Sequence, residues 1–359
     1  MSFISLLRIA TLGVAAGLGA CSTSTMSYNQ PVDTGREASQ DAAVDTGNFE
    51  YDAEEPIADV RVAPADVQDV QPRNGPPYPV ILHHGFAGFR DFGGINYFYR
   101  VAADLRARGA VVYEAEVSPF NPPSIRAVEL AAFVDQVLTE TNAAKVVIIG
   151  HSQGGLDPRY MISTLHYGDR VALLATVATP HRGTYVADAL IGNVPGVTDE
   201  FINAVATVFG FAYNDVRARA DLRQAANSLT LSVARDFNLN NPDDPRVAYW
   251  SWTGRSNRRI GERQCSGARV ANDPFHVDDA NVALYAFSNF LEQGDPFEHV
   301  NDGLVEVASG KWGIWMGCIP ADHFDEVGQI ARTGPVPGSG FDHIEFYRDI
   351  VRRVREAGF

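Results

Sequence analysis

Lys145-Val146-Val147-Ile148-Ile149-Gly150-His151-Ser152-Gln153-Gly154 joins a β-branched apolar run to a serine flanked by glycines. The run is short and apolar throughout, as a strand buried on both faces must be. A helical stretch follows it at once, so the chain has to turn from strand to helix at Ser152. Glycines at 150 and 154 let the backbones on either side of such a turn approach closely. The turn holds a serine hydroxyl out at the carboxyl end of the sheet, with a helix N-terminus behind it. The string G-x-S-x-G is weak evidence alone; its place between strand and helix gives it weight.

Outward from this turn, strands alternate with helices. Tyr78 to His83 predicts a buried strand, and Ala110-Val111-Val112-Tyr113 a second. Between them, Phe98, Val101, Ala102 and Leu105 recur at helical spacing over Asn96 to Arg108, with Gly109 as the stop. Ser124 is placed to cap a helix whose apolar face is Ala127, Leu130, Phe133, Val134, Val137 and Leu138. Val171 to Thr179 and Val247 to Thr253 predict further strands, and Ile344 to Val354 an amphipathic closing helix. Such alternation predicts an α/β fold with a mostly parallel sheet covered by helices on both faces. Residues 77–359 suit one large domain of this kind.

The remaining N-terminal residues differ in kind. Arg8 precedes an apolar stretch, Ile9 to Ala20, too short to span a bilayer but of the length of a signal-peptide core. It ends in Leu18-Gly19-Ala20-Cys21, which resembles the lipobox of bacterial lipoproteins. That resemblance implies cleavage before Cys21 and a diacylglycerol on its sulfur, anchoring the chain to an outer membrane; the alternative is an ordinary secretory signal. Residues 21–76 are polar and acidic with no apolar period, which predicts a disordered tether. Outside the cytosol a disulfide persists, and Cys265 with Cys318 is the natural pair; the alternative is two separate buried thiols.

The 29 Lys+Arg against 44 Asp+Glu leave a net charge of −15. A chain so acidic repels a phosphate backbone, which argues against nucleic acid as a partner. The 3 cysteines are too few for a disulfide scaffold, and no Cys/His spacing predicts a zinc site.

A serine hydroxyl attacks only when a base takes its proton, and that base needs an orienting carboxylate. Among the 9 histidines, His323 in Asp322-His323-Phe324-Asp325 follows Asn301-Asp302-Gly303-Leu304-Val305, a turn and apolar string that would put Asp302 at a strand end. His343 is the rival base, although it runs directly into the closing helix. An oxyanion needs aimed donors. The Gln153 N–H is one candidate, and the loop His84-Gly85-Phe86-Ala87-Gly88 after the first strand would supply the other.

Five strings carry a family resemblance: His84-Gly85-Phe86, Gly150 to Gly155, Thr179-Pro180-His181-Arg182-Gly183, Asn301 to Val305 and Asp322 to Val327. Ser228-Leu229-Thr230 and Trp250-Ser251-Trp252-Thr253-Gly254 add to it. In order and spacing the chain resembles the secreted true lipases of Pseudomonas and Burkholderia. The resemblance implies an α/β-hydrolase fold, hydrolysis of acylglycerols, the triad Ser152, Asp302 and His323, and oxyanion donors at Phe86 and Gln153. It also implies a structural Ca²⁺ held by the carboxylates of Asp278 and Asp325 and the carbonyls of Gln329 and Thr333, with Asp279 able to replace Asp278. A dedicated foldase is a partner that some members of the family use. Short-chain esters or a polyester are the alternative substrates, and a non-catalytic surface lipoprotein is the alternative outside enzymology.

Three departures accompany the resemblance. The cysteines stand elsewhere, Cys265 after the Trp250 block and Cys318 shortly before His323. The lipobox and acidic tether are foreign to the secreted enzymes. Tyr185 to Asn240, the position of the family's lid, resembles it poorly; Val205, Val208, Phe209 and Phe211 are either an apolar lid face or ordinary core.

Overall fold

The computed structural model describes residues 78–86, 88, 91–92, 95–194, 223–256, 265, 281, 284–293, 295, 298–329, 334–337 and 339–359. The signal segment, Cys21, the tether, Asp278, Asp279, Thr333 and the four residues of the expected lid face lie outside them.

Eight strands are described: β1 (Val80–His83), β2 (Asp91–Phe92), β3 (Ile95–Asn96), β4 (Val112–Ala115), β5 (Val146–His151), β6 (Val171–Val177), β7 (Ala248–Gly254) and β8 (Ile314–Ile319). Six form one sheet in the order β4-β1-β5-β6-β7-β8, with β2 and β3 a separate antiparallel pair. Every pairing within the six is parallel. The helices are α1 (Val101–Ala107), α2 (Pro123–Thr141), α3 (Leu156–Ser163), α4 (Tyr185–Leu190), α5 (Leu231–Asn240), α6 (Tyr285–Glu292), α7 (Val307–Gly310) and α8 (His343–Glu356). Alternate strand residues feed two cores. Val80, Leu82, Val147 and Ile149 pack with Val101, Leu105, Tyr347 and Ile350 of α1 and α8. Ile81, Val146 and Ile148 pack with Leu130, Val134, Met161 and Ile162 of α2 and α3 on the other face. Burying each of these side chains contributes about 1.5–3 kcal/mol, which is why a run apolar on both faces had to be a central strand.

β1 has β4 on one side and β5 on the other, so the chain leaves their carboxyl ends in opposite directions. A crevice opens at such a reversal, and open α/β sheets place their ligands there. The loops that fill it begin at His84 and Ser152.

Several local expectations are corrected. Ser124 is not a cap: α2 begins at Pro123, whose ring presets the first helical turn, with Pro122 as its cap residue. α1 starts only at Val101, because Ile95–Asn96 is extended and Arg100 takes a left-handed φ of 61°. Asn301 to Val305 makes no strand; Asn301 shares a single bridge with Glu306. The edge strand β8 went unpredicted, since Trp315, Met316, Gly317 and Cys318 interrupt any β-branched run. Cys265 and Cys318 are bonded across 53 residues, with Cα atoms 5.6 Å apart.

Candidate active site

Ser152 has φ 56°, a conformation that costs an L-residue of order 1–3 kcal/mol unless its surroundings impose it. They do. β5 ends at His151, a single tight turn covers Ser152–Gly155, and α3 begins at Leu156. A methyl group at Gly154 would collide with the carbonyls of His83 and His84, so β1 presses directly on the turn. A methyl group at Gly85 would lie 2.6 Å from the Ser152 Cβ. The His84-Gly85-Phe86 loop and the serine are thus in contact, each made possible by a glycine of the other.

His323 and Asp302 meet on the loops beyond β7 and β8. His323 Nδ1 lies 2.8 Å from Asp302 Oδ2, with both residues buried. The other carboxylate oxygen, Oδ1, accepts the N–H groups of Leu304 at 2.8 Å and Val305 at 2.7 Å. The His323 N–H donates to the Asp302 carbonyl at 2.9 Å. Asp322, just before the base, accepts the N–H groups of Phe324 and Asp325 at 2.9 Å each. The His323 ring rests against His151, centroids 4.5 Å apart, which brings it to the serine turn. His343 does not join this group. It is buried at the start of α8 and donates from Nε2 to the Tyr99 carbonyl at 2.9 Å.

Phe86 packs edge-on against Phe120, centroids 5.8 Å apart, beside Leu156, Ala187, Leu229 and Phe237. Gln153 is fully buried and its Nε2 donates to the Asn121 carbonyl at 2.9 Å. An apolar cluster therefore stands at the loop and turn that carry Ser152.

A profile of the alpha/beta hydrolase fold matches residues 78–259. Triacylglycerol lipases of Pseudarthrobacter phenanthrenivorans and Burkholderia plantarii are each 37% identical over 314 residues, covering 78% of this chain and 97% and 87% of theirs. The chain belongs to the α/β-hydrolase family. The crystal structure of Staphylococcus hyicus lipase shares the fold with a TM-score of 0.55, over 82% of this chain and 99% of that one, at 20% identity. The family expected from the quoted strings is the one found.

Around the serine this hydrolase carries polar groups that no motif announced. Arg126, fully buried on α2, donates from Nε to Asp157 at 2.8 Å and from Nη2 to the His84 carbonyl at 2.6 Å. Asp157 also receives His83 Nε2 at 2.8 Å. The Tyr97 hydroxyl donates to His151 Nδ1 at 2.7 Å, which leaves His151 Nε2 to donate to Glu326 Oε2 at 2.8 Å. Burial, and then the charges of Asp302 and Asp322, push the Glu326 carboxyl well above the usual carboxylate range. Burial, then His323, holds His151 well below the usual imidazole value. Glu326 stands three residues after His323 and was within reach of helical spacing; Tyr97 and Arg126 had no sequence signal beyond sitting near the strings that mattered.

Of the expected calcium ligands, Asp325 is buried in the turn after His323 and Gln329 ends that turn, its N–H donating to the Phe324 carbonyl at 2.9 Å. Gln329 Nε2 in turn donates to the carbonyls of Asn96 and Tyr97. A buried carboxylate and a carbonyl in one turn are hard oxygen donors of the kind Ca²⁺ takes.

Proposed function

We propose that this chain is a carboxylic ester hydrolase acting on long-chain acylglycerols through an acyl-enzyme on Ser152. The observation that carries it is Ser152 itself, held in a left-handed conformation against the His84-Gly85-Phe86 loop at the carboxyl ends of β1 and β5. The two 37% identical relatives are triacylglycerol lipases, which supports the substrate class.

In this scheme Ser152 Oγ attacks the ester carbonyl while His323 takes its proton at Nε2. The 2.8 Å contact from His323 Nδ1 to Asp302 supports that assignment, because it leaves Nε2 as the basic nitrogen. Asp302 fixes the imidazole tautomer and stabilises the imidazolium. The tetrahedral oxyanion is met by the Phe86 and Gln153 N–H groups, the latter at the first turn toward α3. His323 returns its proton to the leaving alcohol, then activates water against the acyl-enzyme, which releases the acid and restores Ser152.

Ca²⁺ would sit between Asp325, Asp278 and the carbonyls of Gln329 and Thr333, supplying rigidity to the turn after His323. Export, a lipid anchor at Cys21 and the acidic stand-off of residues 21–76 rest on the lipobox-like string and the composition. Mass spectrometry of the mature N-terminus tests them: an unmodified cysteine removes the anchor. A foldase partner rests on family resemblance.

A fluorophosphonate probe should label the folded protein at Ser152. Failure to label would leave the non-catalytic lipoprotein. A pH-stat comparison of emulsified triolein with soluble tributyrin, with Ser152→Ala as the blank, then tests the substrate class. Release from tributyrin alone would make the protein a short-chain esterase.

A further inference from the structure

The oxyanion loop is held peptide by peptide. In the His84–Gly85 peptide, the carbonyl accepts Arg126 Nη2 at 2.6 Å, and the Tyr97 hydroxyl lies so close to Gly85 that a methyl group there would come within 2.9 Å of it. In the next peptide, Gly85–Phe86, the carbonyl accepts His84 Nδ1 at 3.0 Å and the Gly88 N–H at 3.2 Å. A trans peptide points its N–H opposite to its carbonyl, so these contacts dictate where the Phe86 N–H aims.

We propose that Tyr97 is a positioning residue for ester hydrolysis: its hydroxyl, tied to His151, braces Gly85 of the oxyanion loop and so aims the Phe86 N–H at the developing oxyanion. The proposal rests on the ester-hydrolase mechanism above. Tyr97 is suited to the task because one oxygen serves two loops. It packs against Gly85 on the loop after β1 and donates to His151 beside Ser152. His151 passes the connection on to Glu326, three residues from His323. The tyrosine is itself held: its ring packs on Phe98 and His151, and its carbonyl accepts Gln329 Nε2 at 2.7 Å. Without the hydroxyl, Gly85 loses the stop that seats it beside His151. The loop from His84 to Gly88, held together by its own contacts to the Gly85 carbonyl, then settles toward the vacated space and carries the Phe86 N–H with it.

The consequence falls on the transition state, where the oxyanion exists, and not on the bound ester. Removing an oxyanion donor outright costs about 10²–10³ in kcat, so misaiming one should cost about 10- to 100-fold. The test is Tyr97→Phe in the full chain, with active sites counted by fluorophosphonate titration and rates measured on a soluble ester. The expected result is a kcat lower by about 10- to 100-fold, with KM within about twofold. Affinity for an alkylboronic acid, which becomes tetrahedral on Ser152, should weaken in parallel. A variant with wild-type kcat per titrated site, or one whose loss lies in KM, overturns the proposal. Should Tyr97→Phe fail to fold, His151→Asn removes the other end of the lock; it must show the same selective loss of kcat and of boronate affinity, and unchanged values overturn the proposal equally. A wild-type protein that neither hydrolyses the ester nor binds the boronate would remove the ester-hydrolase mechanism and this role with it. An active wild type with an equally active Tyr97→Phe removes this role alone.

Discussion

Acid should destabilise this protein well before its carboxylates protonate, because buried histidines are held neutral by donors aimed at their rings. His84 Nδ1 donates to the Gly85 carbonyl, and its Nε2 accepts the Val117 N–H at 3.3 Å. His181 Nδ1 faces Arg159 Nη1 at 3.4 Å, and its Nε2 meets Thr176 Oγ1 at 3.1 Å. A proton on either ring would oppose an existing N–H. Burial first, then neighbouring cationic groups, place both well below the usual value of 6.5. A histidine with a lowered folded pKa contributes stability above its unfolded pKa, and loses it as pH falls toward the folded one. If both stay neutral, going from pH 6.5 to pH 5 costs about 1.6 kcal/mol each, or about 3 kcal/mol together. That is a large share of the roughly 5–15 kcal/mol typical of a domain. The His151–Glu326 pair does not add to this slope. It holds one proton between its members in the fold, and the unfolded pair also holds one between 4.5 and 6.5, their ordinary values. His83 acts in the same direction as His84, less strongly because Asp157 favours its charged form. Asp322, raised by burial, opposes only at the bottom of the range. Urea unfolding followed by tryptophan fluorescence at half-unit steps of pH measures the slope. His84 and His181 should bring it to about two protons near pH 5, with His83 adding to it, and His181→Gln should lower it by about one. A stability that is flat or rising as pH falls from 6.5 to 5 would refute the reasoning.

Other outcomes follow from the same geometry. Asp302→Asn should lower kcat by about 10³- to 10⁴-fold at nearly unchanged KM, since it miscasts the imidazole tautomer; steady-state kinetics on tributyrin would measure it. His343→Ala should keep its kcat while losing about 1–3 kcal/mol of stability from the unpaired Tyr99 carbonyl; an inactive but folded variant would return His343 to the catalytic group. Serines at Cys265 and Cys318 together should cost up to about 4 kcal/mol, the chain-entropy value for a loop of 53 residues, read by urea unfolding. EDTA should lower the melting temperature, and an unchanged melt with no bound metal would remove the calcium site.

Most of the framework could be read from the sequence because it is governed by short-range pattern. Ile148-Ile149 running into Gly150 and Ser152 specifies a central strand and a sharp turn within a few residues. The chain order of Ser152, Asp302 and His323 was the order that the resembled fold implies. What escaped was chemistry assembled across the fold. Tyr97, Arg126 and Glu326 reach His151 and the His84 loop from three different segments, and of these Glu326 alone, three residues after His323, had a local cue. Local capping rules also misled at Ser124, where Pro123 was the stronger determinant. At Asp302 the turn and apolar string were read as a strand end, and an isolated turn stands there instead.

That turn has a consequence for how the protein tolerates change. Asp302 is anchored by Leu304 and Val305 within its own loop and by the main chain of His323. Acid and base are therefore indexed to each other first, and the end of β7 seats them together: a methyl group at Gly254 would lie 2.9 Å from the Asp302 Cβ. A change at Gly254 would displace the pair as one unit from Ser152 while the 2.8 Å contact between them holds.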